Sequence, residues 1–335
     1  MVDREDRLWI GTRGAGVAFL DGSRFETVDG GGVLAGADIT ALHQRPNGDL
    51  LVGSRDGRLF NISMGVASSE PFPFDESVGA LHSILEDTEG SLWIGSDKAG
   101  LLRVFEGEYE HLSSEHGMPS HNLKSLLQDR EGSLWVGTDG GGIVRLQSGK
   151  FDSWGTPEDL SADYTYGVMV DQDGNVWVGT EGAGVNRLSA EGVTALRAKD
   201  GLGSDVVYAV EQTSDGSIWF GTEGAGVARL KHGTIRRYPT EDGLPTNTVY
   251  ALYTDSSDRL WSATSSGGLT SLHRGVLSHL TVANGMSSEF VTVMLESVKG
   301  GLWVGTYDGG LNYVNNNRVV SQYSTANGLN SDYVL

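Results

Sequence analysis

The sequence predicts an all-β, eight-bladed β-propeller with four antiparallel strands per blade. A short phrase built around tryptophan occurs eight times, and its central residue returns every 42 residues. A period in the low forties is typical of one four-stranded propeller blade per repeat. Eight such repeats account for almost the whole chain of 335 residues. The central residues are Trp9, Leu51, Trp93, Trp135, Trp177, Trp219, Trp261 and Trp303.

Each repeat divides into four short β-rich segments, which we name strands A to D in chain order. In the seventh repeat the strands are predicted at residues 248–253, 260–264, 269–272 and 276–280. The A–B turns follow an Asp-x-x-Gly pattern, as in Asp129 and Gly132. An Asp side chain that caps the turn and a Gly at positive φ explain this pattern. The turns are too short, and have too few acidic residues, for a calcium loop.

The two ends of the chain complement each other. Residues 1–3 align with the end of a strand A, and residues 327–335 align with a D–A loop and the first half of a strand A. We therefore predict a single domain over residues 1–335, with blade 1 shared between residues 1–30 and 332–335. Closure of the ring by strands from both termini would leave no open sheet edge.

Composition narrows the function classes. The chain has 24 basic and 44 acidic residues, a net charge of −20. Nucleic acids and anionic membrane surfaces would be repelled by this field, so neither is an expected partner. The absence of cysteine excludes disulfides and thiol chemistry. No signal peptide or apolar run of membrane-spanning length is found, so we expect no direct membrane insertion of this segment. The oligomeric state stays open.

The repeats resemble the two-component regulator propeller repeat. Residues 129–143 carry its pattern of D-x-x-G, L-W-[IV]-G-T and G-G-[LIV], and the resemblance extends over essentially the whole chain. It implies a non-enzymatic sensor module of a bacterial histidine kinase or diguanylate cyclase. Such a module would bind a carbohydrate, another small molecule or a protein partner. It would be periplasmic or extracytoplasmic if the segment is excised from a membrane sensor.

Two other interpretations stay open. The first is a propeller lyase or hydrolase of the streptogramin-lyase type, which needs a general acid and base near the axis. The best pair would be His82 with Lys124, Asp97 or Asp139. Since no nucleophile motif or metalloprotease motif occurs, we assign no catalytic residue. The second is an engineered or recently amplified repeat scaffold without a ligand, because the spacing is unusually strict.

One position early in strand A predicts a ligand site on the top face, where the D–A and B–C loops lie. Five consecutive blades carry polar-tipped or aromatic residues there, and such side chains suit a sugar or an anionic group. Blades 8, 1 and 2 carry Thr292, Leu335 and Thr40, which would leave the site off-centre. The alternative is that the tyrosines pack between blades and direct only their hydroxyls to the channel. The predicted ligand-binding residues are His82, Lys124, Tyr166, Tyr208 and Tyr250.

The residue that opens each B–C loop predicts a charged rim on the same face. Two arginines are followed by four acids, and Ser265 and Tyr307 complete the set. Such polarity favours a zwitterionic or partly charged ligand, or a basic patch on a protein partner. The alternative is a set of ordinary solvated turn residues. The charged residues of this rim are Arg13, Arg55, Asp97, Asp139, Glu181 and Glu223.

A histidine cluster in sequence does not predict a metal site. His111, His116 and His121 are five residues apart, but His111 is expected on an outer strand and His121 near an inner one. Three strand spacings put these rows about 14 Å apart. They cannot share an ion that needs ligands at about 2.1 Å. We therefore expect no metal and no cofactor.

Overall fold

The computed structural model describes residues 1–28, 31–72, 76–147, 150–155, 160–329 and 331–334. It confirms the predicted fold class, an all-β, eight-bladed β-propeller with antiparallel four-stranded blades. In blade 1, three strands are described. In each sheet, the strands are adjacent in chain order, A to D. The chain divides into two compact units, residues 1–158 and 159–335, which are described separately below.

The unit of residues 1–158 contains blades 1 to 4. Two 3₁₀ turns, Glu76–Val78 and Ser114–His116, lie in its D–A loops. The inner strands of blades 2, 3 and 4 contact one another side by side. Its strands are β1 Trp9–Gly11, β2 Val17–Asp21, β3 Arg24–Thr27, β4 Ile39–Gln44, β5 Leu50–Ser54, β6 Leu59–Ser63, β7 Val66–Ser69, β8 Leu81–Glu86, β9 Leu92–Ser96, β10 Leu101–Phe105, β11 Glu108–Leu112, β12 Leu123–Gln128, β13 Leu134–Thr138, β14 Ile143–Gln147 and β15 Lys150–Trp154.

The unit of residues 159–335 contains blades 5 to 8, whose inner strands likewise contact in order. Its strands are β16 Thr165–Val170, β17 Val176–Thr180, β18 Val185–Ser189, β19 Gly192–Leu196, β20 Val207–Gln212, β21 Ile218–Thr222, β22 Val227–Lys231, β23 Thr234–Tyr238, β24 Val249–Thr254, β25 Leu260–Thr264, β26 Leu269–His273, β27 Val276–Leu280, β28 Val291–Glu296, β29 Leu302–Thr306, β30 Leu311–Asn315 and β31 Arg318–Tyr323. The four strands predicted for the seventh repeat agree with β24 to β27 within one residue.

Short 3₁₀ turns precede β20, β24 and β28, a fourth follows β31, and each is followed directly by a glycine. They span Ala198–Asp200, Thr240–Asp242, Val282–Asn284 and Thr325–Asn327. The following residues Gly201 and Gly243 have φ of 113° and 106°, a region that favours glycine. These glycines let the chain turn from the 3₁₀ turn toward the next inner strand.

The tryptophans of the repeat phrase pack between neighbouring sheets. Trp135 and Trp177 are 5% and 4% exposed. The ring of Trp177 lies 5.7 Å from that of Phe220 in the next blade. Burial of such large rings supplies much of the hydrophobic stabilisation. Trp303 is half-buried. Leu51, which replaces Trp in blade 2, is fully buried.

The aspartate of the A–B turn supports both the turn and the tryptophan. Asp129 Oδ1 accepts hydrogen bonds from the backbone N–H groups of Glu131 and Ser133, at 3.0 and 2.8 Å. Its Oδ2 accepts a hydrogen bond from Trp135 Nε1 at 2.7 Å. The Asp-x-x-Gly pattern is thus structural, as predicted. The same Asp–Trp hydrogen bond joins Asp3 to Trp9, Asp87 to Trp93, Asp171 to Trp177 and Asp255 to Trp261.

The two ends of the chain lie in different units. Val2 forms a β-bridge with Leu8, and the Met1 carbonyl accepts a hydrogen bond from the Trp9 N–H at 2.8 Å. At the other end, the Val334 N–H donates to the Thr306 carbonyl at 3.0 Å. Residues 29–30 and 335 are outside the described residues. The single domain with a shared blade 1 therefore stays a prediction.

Candidate functional site

A recurrent β-bulge determines where the predicted ligand-binding residues lie. In β20, Val207 pairs with Thr222 and Ala209 pairs with Gly221, so Tyr208 is the extra residue of the bulge. A bulge interrupts the ladder and redirects the side chain of its extra residue. The same register shift occurs near the start of β4, β8, β12, β16, β24 and β28. The bulged residues include Thr40, His82, Lys124, Tyr166, Tyr208, Tyr250 and Thr292.

In the unit of residues 159–335, the three predicted tyrosines belong to a larger group of rings in contact. The Tyr208 ring centroid lies 5.0 Å from that of Tyr166 and 4.9 Å from that of Tyr250. The series continues from Tyr250 to Phe290 at 6.3 Å, and from Phe290 to Tyr307 at 4.9 Å. It ends with Tyr333, 4.8 Å from Tyr307. We call these six residues the aromatic cluster: Tyr166, Tyr208, Tyr250, Phe290, Tyr307 and Tyr333.

The cluster is packed together yet open to solvent. Tyr166, Tyr250 and Tyr307 are 41%, 39% and 50% exposed. The other three rings are half-buried. Gly167 allows the inner strands to approach closely here, since a Cβ at this position would lie 2.9 Å from the Tyr208 carbonyl oxygen. The rings thus pack against one another, as the alternative interpretation expected, but they also present surface to a ligand.

Three members of the cluster were missed by sequence reasoning. Phe290 and Tyr333 lie two residues before the bulge position of their repeats, a position that the prediction did not consider. Tyr307 opens a B–C loop, and the prediction of the charged rim included it only as one of two uncharged members. Its backbone N–H donates to the Phe290 carbonyl at 3.0 Å, which places the two rings side by side. Aligning that earlier repeat position would have found Phe290 and Tyr333.

The rim residue Glu223 interacts directly with the cluster. The Tyr208 hydroxyl donates a hydrogen bond to Glu223 Oε1 at 3.1 Å. Burial, this hydrogen bond and the charge of Glu223 together raise the pKa of Tyr208 to about 12, so the phenol stays protonated at neutral pH. The Glu181 N–H donates to the Tyr164 carbonyl at 3.0 Å, and the Glu181 side chain is exposed. The rim of this unit is therefore acidic and adjoins aromatic surface.

In the unit of residues 1–158, Lys124 and the rim residue Asp139 form an ion pair. Lys124 Nζ lies 3.3 Å from Asp139 Oδ2. The same oxygen accepts a hydrogen bond from Asn122 Nδ2 at 2.8 Å. Burial lowers the pKa of His82, and the charge of Lys124 acts in the same direction, whereas Asp97 opposes it. Burial and Lys124 thus both favour the neutral form of His82.

The two rim arginines share a carboxylate that the prediction did not include. Asp38 Oδ2 lies 3.4 Å from Arg55 Nε and 3.9 Å from Arg13 Nε. Both arginines are more than half exposed. Asp97 Oδ1 accepts a hydrogen bond from the Ala80 N–H at 2.8 Å. The rim residues of this unit thus form local ion pairs and turn contacts.

The threonines at the bulge position donate hydrogen bonds to backbone carbonyl groups. Thr40 Oγ1 donates to the Leu81 carbonyl at 2.7 Å. Thr292 Oγ1 donates likewise to the Val334 carbonyl. Leu335, the remaining member of this set, is outside the described residues. The structure places Tyr166, Tyr208 and Tyr250 together, and places His82 within electrostatic range of Lys124. A common site for all five remains a prediction.

The histidines and the remaining pockets do not identify another site. His111 Nε2 contacts the Ala99 carbonyl. No group of three or more His, Asp or Glu side chains arranged for a metal ion occurs among the described residues. A cavity of about 240 Å³ lies near the A–B turns of blades 3 and 4, lined by Thr88 and Gln128 among others. The Thr88 N–H donates to Gln128 Oε1 there, at 3.2 Å.

Comparison with known families agrees with the resemblance read from the repeats. Residues 117–140, 159–182, 201–224 and 243–266 match the family described as two component regulator propeller. Each segment covers a D–A loop, strand A, the A–B turn and strand B. These four segments are two-component regulator propeller repeats. These matched repeats include Tyr166, Tyr208 and Tyr250.

Solved structures similar to these propeller repeats show the same fold. The extracellular domain of a protein described as a one component system from B. thetaiotaomicron is 17% identical, with a TM-score of 0.55, over 96% of this chain and 53% of that one. Virginiamycin B lyase from Staphylococcus aureus is 14% identical, with a TM-score of 0.59, over 83% and 94%. The computationally designed Ika8 protein is 15% identical, with a TM-score of 0.65, over 88% of each.

The chain is shorter than one of the structures that it resembles. The chain spans about half (53%) of that extracellular domain from B. thetaiotaomicron. No curated protein matches the sequence. Among the described residues, no helix has the length and apolar character needed to cross a membrane.

Proposed function

We propose that this propeller is a non-enzymatic recognition module of the regulator type, and that the aromatic cluster binds a small organic ligand. The observation that carries the proposal is the continuous series of six rings at one end of the inner strands. Contiguous exposed apolar surface marks interaction sites, and pockets for small molecules are lined by aromatic groups with a few polar ones. Glu223 and the tyrosine hydroxyls supply such polar groups.

The proposal also covers the location of this module and the kind of protein that contains it. Repeats of the two-component regulator type, and a fold shared with an extracellular domain, support an extracytoplasmic location in a bacterial signalling protein. The ligand would then reach the cluster from outside the cytoplasm and alter a signal. A carbohydrate that stacks on the rings is the ligand class implied by the resemblance; another small molecule or a protein partner would use the same surface.

The proposal is tested by ligand screening with a matched pair of variants. Isothermal titration and thermal shift would be run with a panel of neutral, acidic and basic oligosaccharides and small organic amines. We expect Tyr208→Ala to weaken binding by about 0.5–1.5 kcal/mol beyond the area lost, since a stacked ring is removed. Tyr109→Ala, which removes a 43% exposed tyrosine from β11 in the other unit, is the control.

Two results would contradict the proposal. If Tyr208→Ala and Tyr109→Ala weaken ligand binding equally, the aromatic cluster is not the binding surface. Turnover of a polysaccharide or a cyclic depsipeptide that is lost in His82→Ala would instead identify an enzyme.

A further inference from the structure

We infer that the aromatic cluster selects a small soluble organic cation, an alkylated ammonium compound, over neutral and anionic ligands. This inference rests on the proposed function and adds the chemical class of the ligand. It follows from the ring faces, from the charges beside them and from the hydrogen bond of Tyr208.

The ring faces are suited to a cation. The face of an aromatic ring carries partial negative charge and attracts ammonium groups within about 6 Å of its centroid. Tyr166 and Tyr208 are inclined by 61°, and Tyr208 and Tyr250 by 46°. Tyr166, Tyr208 and Tyr250 therefore do not cover one another's faces as parallel rings do, whereas Phe290 lies nearly parallel to Tyr307, at 14°. With Tyr166 and Tyr250 about two-fifths exposed, ring surface remains accessible to an alkylated nitrogen.

The charged residues at three repeat positions of blades 5 to 8 have one sign, although the Arg237 side chain lies against Gly203 in a D–A loop of the same face. The three repeat positions on the top face of these blades are the bulge position, the position two residues before it, and the rim. All of their residues are among the described ones. They comprise two carboxylates, no Lys and no Arg, so a bound cation meets no opposing side chain at these positions. The bulge position holds Tyr166, Tyr208, Tyr250 and Thr292, the position two residues earlier holds Tyr164, Val206, Thr248 and Phe290, and the rim holds Glu181, Glu223, Ser265 and Tyr307.

The absence of Lys and Arg at these three positions is not a general property of the repeat. In blades 1 to 4 the same positions carry Arg13, Arg55 and Lys124, each within 4 Å of an acidic side chain. The basic residues at these positions are thus confined to the other unit. These positions in blades 1 to 4 also hold Asp38, Asp97 and Asp139, so what distinguishes blades 5 to 8 is tyrosines beside carboxylates with no basic residue at these positions. This combination argues for a role beyond folding.

The Tyr208–Glu223 hydrogen bond adds to the preference. Because the hydroxyl donates to a carboxylate, the phenol becomes more electron-rich, and its ring face attracts a cation more strongly. The same bond occupies the Tyr208 proton, which a sugar hydroxyl would otherwise use. Glu181 and Glu223 also repel carboxylated or sulfated sugars.

An alkylated ammonium fits better than a primary amine on such an open surface. Its methyl groups bury apolar area against the rings, and recognition of quaternary ammonium by aromatic side chains follows this principle. The trimethylammonium group occurs both in free metabolites and in choline lipid headgroups. The test therefore has to distinguish these two sources.

The experiment compares choline with its neutral isostere, 3,3-dimethylbutan-1-ol, by titration of the full chain. Every titration is matched in ionic strength with potassium chloride, because a net charge of −20 attracts any cation loosely. We expect choline to bind about three- to thirtyfold more tightly than the isostere, as expected for one or two cation–π contacts. Co-sedimentation of the protein with phosphatidylcholine vesicles, with phosphatidylglycerol vesicles as control, tests whether it binds the lipid headgroup. Binding to phosphatidylcholine vesicles alone would contradict a soluble ligand.

Three variants locate the effect. Tyr208→Ala should abolish the difference between choline and its isostere. Glu223→Gln should weaken choline binding and leave isostere binding unchanged. Glu191→Gln removes the same charge from an exposed residue between β18 and β19 and should change neither.

The possible failures are distinguishable. If choline and the isostere bind equally, or if an oligosaccharide binds while choline does not, the cation preference is wrong and the proposed recognition function stands. If Glu191→Gln weakens choline binding as much as Glu223→Gln, the effect is diffuse electrostatics and the inference is overturned. If neither choline nor any member of the screening panel binds, both proposals fail.

Discussion

At the residue scale, one aspartate in each of blades 1, 3, 4, 5 and 7 performs two tasks. Asp129 receives two backbone N–H groups of its own turn and the indole N–H of Trp135. Blade 6 shows that the indole contact tolerates a substitution, because Thr213 Oγ1 accepts the hydrogen bond of Trp219 Nε1 at 3.0 Å. The turn function of the Asp was predictable from its spacing to Gly. The bond to Trp, six residues away, depends on strand B folding back against the turn.

We predict that Asp129→Ala lowers the stability of the protein by about 1–3 kcal/mol, because a buried indole N–H loses its acceptor. Asp129→Asn should cost less, since a side-chain oxygen still accepts one of these hydrogen bonds. Differential scanning calorimetry measures both. The control is Glu131→Ala, an exposed change in the same turn. A decrease in melting temperature for Glu131→Ala as large as that for Asp129→Ala would contradict this explanation.

At the element scale, the inner strands determine what each blade presents. Their bulges redirect one residue in each of blades 2 to 8. The inner strand β20 also contains an unusual carboxyl group. Glu211 lies opposite Trp219, and burial raises its pKa to about 7. In other blades the same repeat position carries mainly apolar residues such as Leu85 and Met169.

We predict that Glu211→Gln stabilises the protein at pH 8 but not at pH 4.5. The folded-state pKa is above the unfolded value of about 4.5, so the favourable contribution of protonated Glu211 is complete below that value and is lost as the pH rises through about 7. The glutamine variant does not ionise, and its gain at pH 8 should approach about 3 kcal/mol at most.

The measurement is the melting temperature of the variant minus that of the natural protein at the two pH values. His82 and other titrating groups are common to both proteins and cancel in this difference. Glu191→Gln should show no such pH dependence. An equal difference at pH 4.5 and pH 8 would mean that Glu211 ionises normally in the folded state.

At the scale of the whole molecule, the excess of 20 negative charges dominates the long-range field. Ion pairs such as Arg58–Asp56 are largely exposed and contribute little stability individually. Self-repulsion of the folded chain therefore acts against compactness, since the unfolded chain separates its charges. It also disfavours nucleic acids and anionic surfaces as partners.

We predict that the melting temperature rises by several degrees when sodium chloride is increased from about 0.01 M to about 0.15 M, as the screening length falls from about 30 to 8 Å. Differential scanning calorimetry at constant pH measures this rise. Potassium chloride at the same ionic strength should act equally, because screening does not depend on the salt's identity. A melting temperature that is constant or falls over this range would show that repulsion does not limit stability.

The site shows how far sequence reasoning extends. Repeat alignment identified Tyr166, Tyr208 and Tyr250 as equivalent, and their rings are in contact. It missed Phe290 and Tyr333, because these rings come from another repeat position and meet the cluster only through loop packing. It also counted Glu223 as a rim charge without detecting its hydrogen bond to Tyr208. Side-chain direction after a bulge cannot be derived from strand alternation.

The sequence by itself determined the period, the number of blades, the strand order and the Asp-x-x-Gly turns of this protein, because each follows from short local patterns that recur along the chain. Only the tertiary structure decided that rings from different blades form one cluster with a carboxylate beside it. Those contacts join residues 15 to 42 positions apart in the chain. They depend on how neighbouring sheets pack, and on a bulge that sends one side chain per inner strand toward its neighbours.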